Sequence, residues 1–81
     1  MGKRRIKLND LERILASFGV SVDRSCGKGS HVKFFKQFPD GRFSYPVPNE
    51  KDVLPCYVNG CRKKFRLTKA DGVTDEVYFA R

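Results

Sequence analysis

The sequence predicts an α+β domain in the order α-β-β-β-α: a three-stranded antiparallel sheet, two helices on one of its faces, and a short helix at the C-terminal end. Three observations carry this. Leu11, Ile14, Leu15 and Phe18 recur at helical spacing and are closed by Gly19. Between residues 20 and 47, runs that alternate apolar and polar are separated by glycine- and proline-containing turns. Leu54, Val58, Cys61 and Phe65 then form a second helical repeat ahead of Gly72. Eighty-one residues hold one small domain, and residues 1–7 form a basic arm in front of it. With both helices on one side, the other face of the sheet is left to solvent or to a partner.

Each element has a local reason. Asn9 is placed to cap the first helix, with Glu12 as its capping-box partner, so that helix is expected over 10–18. Val20 to Arg24 reads as a half-buried strand, and Gly27-Lys28-Gly29-Ser30 as a flexible connection. Val32 to Phe38 is the second strand, Pro39-Asp40-Gly41 a tight hairpin turn, and Phe43 to Val47 the third strand. Pro46 lacks an amide proton, so its amide side is expected to face outward or to lie at an edge. Pro55 fits the first turn of a second helix expected over 55–70, with Gly72 as its stop. Gly60 inside that helix costs about 1 kcal/mol relative to alanine and points to close packing on the sheet. Thr74-Asp75-Glu76 caps a terminal helix through Phe79.

Charge narrows the function. Seventeen Lys and Arg against nine Asp and Glu give a net charge of +8, which implies an anionic partner, most commonly nucleic acid. A chain this short has no room for a deep enclosed cofactor site, so binding or chemistry is expected on an open face, with no cofactor. No apolar run approaches the length of a membrane span, and no signal-peptide core follows the basic start. Three cysteines, Cys26, Cys56 and Cys61, and a single histidine do not assemble a zinc set. They read as reduced thiols packed as small apolar residues in a reducing, cytoplasmic setting.

Strand parity places the candidate site. Val32, Phe34 and Phe38 make the better core set, so His31, Lys33, Phe35 and Gln37 belong on the open face. Gly27 and Gly29 let the preceding backbone approach a phosphate, Ser30 adds a hydroxyl and Lys28 a charge. A neutral His31 imidazole at this position can take the proton of a ribose 2′-hydroxyl, which then attacks the adjacent phosphate. Lys28 and Lys33 would stabilise charge on that phosphate, and Tyr45 or a lysine is the candidate acid. Arg62, Lys63 and Arg66 are expected on an exposed face of the second helix, either as phosphate contacts or as a solvated face.

Lys7-x-x-Asp10-Leu11-x-x-x-Leu15-x-x-x-Gly19, then Gly29-Ser30-His31-x-x-Phe34, Val47-Pro48, a basic helix and Gly72-Val73-Thr74 together resemble the HicA toxins. These are small RNA-cleaving partners in HicA–HicB toxin–antitoxin pairs, and the resemblance spans about residues 7–79. Gly-Ser-His is its most specific element. It implies a fold similar to the double-stranded-RNA-binding domain and metal-independent cleavage of messenger RNA. It also implies His31 as the catalytic residue, Gly29 and Ser30 as its lead-in, and neutralisation by a HicB-like antitoxin. Two other classes compete: a non-catalytic RNA-binding module using the same surfaces, and a domain whose basic face meets an acidic protein.

Overall fold

The computed structural model describes residues 5–24 and 31–80. A short strand β1 (Ile6–Lys7) runs directly into helix α1 (Leu8–Ser17), followed by β2 (Ser21–Asp23), β3 (His31–Phe38), β4 (Gly41–Pro48) and β5 (Asp52–Val53). Helix α2 (Pro55–Lys64), a 3-10 turn (Lys69–Asp71) and helix α3 (Asp75–Phe79) complete the chain. β2, β3 and β4 form the expected antiparallel sheet with β3 at its centre. Pro46 therefore sits on an edge strand, where its missing amide proton breaks no ladder. β3 and β4 are joined by the two residues Pro39 and Asp40, and their register runs from Phe38↔Gly41 to His31↔Pro48 without a bulge.

The second, two-stranded sheet was not expected. β1 pairs antiparallel with β5, Ile6 opposite Val53 and Lys7 opposite Asp52, so the end of the basic arm is tied into the domain. This pairing also explains how α1 begins. The helix starts at Leu8, two residues before the expected boundary, and Asn9 is not its cap. The Leu8 amide, one of the orphan donors of a helix N-terminus, donates instead to the Lys51 carbonyl at 2.9 Å. Glu12, freed from capping, pairs with Arg24.

α1 and α2 end in the same way. At the end of α1 the Val20 amide donates to Leu15 O (2.9 Å) and the Gly19 amide to Ala16 O (3.0 Å), with Gly19 left-handed at φ 83°. This is a Schellman closure. At the end of α2, Leu67 donates to Arg62 O (2.7 Å) and Arg66 to Lys63 O (3.4 Å), with Arg66 at φ 58°. A non-glycine residue in that conformation costs about 1–2 kcal/mol. α2 thus stops at Lys64 rather than near residue 70, because Leu67 turns back into the core. Gly72 closes the 3-10 turn instead, after a capping box between Thr68 and Asp71. α3 forms as expected, with the Thr74 hydroxyl accepting from the Val77 amide.

The core lies between the sheet and the helices. Leu11, Ile14 and Leu15 of α1 and Val58, Cys61 and Phe65 around α2 pack with Val32, Phe34 and Val47 of the sheet. Gly60 lies where a Cβ would fall 2.1 Å from the Tyr45 hydroxyl, so α2 approaches β4 at a distance only glycine permits. Burial pushes the Cys61 thiol up to about 12. Cys56, by contrast, is exposed, because it occupies the outward side of the first turn of α2. Cys26 and the connection over 27–30 lie outside the described residues.

Arg62 corrects the sequence reading most sharply. It is fully buried, not part of an exposed basic face. Its Nε donates to Leu67 O (2.9 Å), one terminal nitrogen to Val73 O (2.7 Å), and the other to the Asp75 carboxylate. The guanidinium lies over the Tyr78 ring, 4.7 Å from its centroid. Position 62 is four residues after Val58 and three before Phe65, so it falls within the apolar stripe of the helix.

Two measurements follow from this packing. Arg62→Ala leaves a carboxylate and two carbonyls without their donor, and is expected to lower unfolding free energy by about 3 kcal/mol in urea titrations. Arg62→Lys restores little of this, because an ammonium cannot reproduce the guanidinium fork. In the native protein at pH 8, iodoacetamide followed by peptide mass mapping should label Cys56 and spare Cys61. Cys61 should react once denaturant exposes it.

Candidate RNA-binding and catalytic face

The unbroken register of β3 fixes which side chains share the open face of the sheet. His31, Lys33, Phe35 and Gln37 alternate with the core residues Val32 and Phe34. Across the ladder, Pro48, Pro46, Ser44 and Arg42 of β4 stand opposite them. From β2, Asp23 faces Lys33 and Ser21 faces Phe35. Among the described residues, the helices pack against the other face. His31 and Lys33 are both exposed and lie two positions apart on one face, as parity requires. Lys28, Gly29 and Ser30 precede His31 directly in sequence, but lie outside the described residues.

His31 sits at the end of the sheet where β4 finishes and β2 gives way to Arg24. A cleft of about 370 Å³ opens at this end, lined by Lys7, Leu8, Asn9, Arg24 and 49–51. Lys7, Arg24 and Lys51 bring positive charge to it, and Glu50 offsets part of that. Phosphate is the natural anion for such a rim.

Tyr45 is not available to His31. It pairs with Phe34 on the helix-bearing face, and its hydroxyl is packed against Gly60 of α2. Burial raises its pKa, with Cys61, Cys56 and Tyr57 adding to the effect. A phenol there cannot protonate a leaving group on the opposite side of the sheet. Of the candidate acids in the sequence reading, the described residues place Lys33 on the histidine's face.

The basic residues of α2 separate into three environments. Arg62 is interior. Lys63 is exposed on the helix. Arg66 lies just past the helix end, its guanidinium 4.5 Å from the Phe38 ring centroid and 5.4 Å from that of Phe43, and it donates to Asp40 at 2.6 Å. That hydrogen bond holds the Asp40 carboxyl below the usual carboxylate range. Lys64 also approaches Phe43, at 5.6 Å. This cation–aromatic cluster belongs to the hairpin end and the helix-bearing face. Arg66 and Lys63 therefore do not join His31 on one surface.

Arg42 is the open-face residue that sequence reasoning passed over. Its guanidinium carbon lies 4.2 Å from the Phe35 ring centroid. Counting parity through the hairpin, from Gln37 to its partner Arg42, would have found it. Among the described residues, no three His, Cys, Asp or Glu side chains gather as a metal-ligand set. No helix among them is long and apolar enough to cross a membrane.

Comparison with known proteins agrees with the motif pattern. A family model described as the HicA toxin of bacterial toxin–antitoxin systems matches residues 8–67, which is 60 of the 81 residues. No curated protein and no solved structure matches the chain. On the family match, with the fold and the histidine-bearing strand described above, the chain belongs to the HicA toxins of bacterial toxin–antitoxin systems.

Proposed function

We propose that this toxin is an endoribonuclease that cleaves messenger RNA without a divalent metal, with His31 as the general base. The observation that carries the reading is the exposed histidine on the open face of the sheet, beside Lys33, in a chain of the HicA family. The imidazole takes the proton of a ribose 2′-hydroxyl, and the 2′ oxygen attacks the adjacent phosphorus. The bond to the 5′ oxygen breaks, leaving a 2′,3′-cyclic phosphate on one product. The departing 5′ oxygen takes a proton, for which Lys33 is the candidate donor. Lys33 stabilises the negative charge that builds on the phosphoryl oxygens, with Lys28, Gly29 and Ser30 as further candidates for contact with the RNA. Lys63 and Arg66 serve as peripheral phosphate contacts on a different surface, whereas the buried Arg62 has no such role. A HicB-like antitoxin neutralises the toxin by covering the open face.

The test is incubation of end-labelled single-stranded RNA with the protein in EDTA, beside His31→Ala and Tyr45→Phe, all checked for folding by circular dichroism. Cleavage should persist in EDTA, fall by a factor of at least about 100 in His31→Ala, and stay close to parental in Tyr45→Phe. Binding without cleavage by any of the three would favour a non-catalytic RNA-binding module. Equal cleavage by His31→Ala would place the chemistry elsewhere.

A further inference from the structure

The open face carries a second feature that the cleavage chemistry does not use. Phe35 lies on the solvent side of β3, half-buried, although the adjacent Phe34 already supplies that part of the core. Its ring is covered by the Arg42 guanidinium of the neighbouring strand, 4.2 Å from the ring centroid. Arg42 stands opposite Gln37, one diagonal step from Phe35, so the stack is a cross-strand pair on the face that bears His31. A shallow depression of about 290 Å³ borders the pair, between Ser21 and Gln37. Phe35 is four residues along the strand from His31, or about 13 Å at the usual strand rise.

We infer that Phe35 and Arg42 form a base-stacking subsite for single-stranded RNA, set along β3 from His31. The inference rests on the RNA reading above and names the form of RNA that fits it. A phenylalanine ring and a guanidinium plane are the two surfaces on which an unstacked base lies flat. Lys33 stands between the subsite and the histidine, where a backbone phosphate would pass. Among the described strand residues of this face, Asp23 is the one acid against Lys33 and Arg42, so the track is cationic. A duplex keeps its bases paired and stacked within the helix, so it could offer this face phosphates but no base. The cation–aromatic cluster of Arg66 over Phe38 and Phe43 is on the opposite face and already paired with Asp40, and the Arg62–Tyr78 contact is buried.

The test measures binding rather than cutting. Fluorescently labelled short single-stranded RNA, and a duplex of the same sequence, are titrated into the full chain carrying His31→Ala. The same titrations are made with Phe35→Leu and Arg42→Lys added, each confirmed folded by thermal melting. Phe35→Leu is expected to weaken single-strand binding on the order of tenfold and to leave duplex binding within about twofold. Arg42→Lys keeps the charge but not the plane, so it should also weaken single-strand binding. Replacing one nucleotide at a time with an abasic site should reveal a single position whose loss costs on the order of tenfold with the Phe35 protein and nothing further with Phe35→Leu. Single-strand binding that is insensitive to Phe35→Leu, or an abasic profile unchanged by it, overturns this inference and leaves the ribonuclease reading standing. Absence of RNA binding by every protein overturns both.

Discussion

The constraint on which the site depends is the eight-residue run of β3 without a bulge. Side chains on a regular strand alternate strictly, and a slip of one residue would exchange the two faces. Val32 and Phe34 are buried almost completely, and that burial fixes the register. Once they face the helices, His31, Lys33 and Phe35 have no choice but the other side. β3 is paired on both edges, so its backbone is held by β2 and β4 together. That two-sided pairing covers Lys33 to Phe35, and His31, the first residue of the strand, has Pro48 of β4 as its ladder partner.

The opposite side of the sheet serves a different purpose. There, packing is so close that α2 needs glycine at position 60 to clear Tyr45. The far end of the chain is held by Arg62, whose guanidinium gathers the Leu67 and Val73 carbonyls and the Asp75 carboxylate. Tyr78 stacks beneath it and against Phe18, 5.8 Å between centroids, so the last helix is joined to the first through one aromatic contact. In a chain with so small a core, one buried cation with its donors satisfied organises a segment that hydrophobic contacts alone would hold weakly.

Much of this was legible in the sequence because its causes are local. The period of Leu11, Ile14 and Leu15, the stop at Gly19, the short turn before Gly41 and the Thr74 cap are each decided within a few residues, and each is seen in the structure. The alternation that sends His31 and Lys33 outward is equally local. What escaped the reading has distant or non-additive causes. The start of α1 depends on a carbonyl at Lys51, far along the chain, which makes a capping side chain at Asn9 unnecessary. The end of α2 depends on Arg66 accepting a left-handed backbone, where glycine is the usual signal. The sequence reading sets Arg62 apart from the stripe of Leu54, Val58, Cys61 and Phe65, although it stands four residues after Val58 and three before Phe65 and is buried with them. Partners at positions 67, 73 and 75 decided the matter.

The face of the sheet away from the helices is the proposed working surface of this toxin. The direct measurement is a titration of isotopically labelled protein with single-stranded 2′-O-methyl RNA, which offers no 2′-hydroxyl for cleavage, followed by nuclear magnetic resonance. The largest chemical-shift changes should fall on His31, Lys33, Phe35, Arg42 and Ser44, while Tyr45 and Gly60 stay nearly unmoved. Changes concentrated at Lys63, Lys64 and Arg66, with the open face silent, would contradict it.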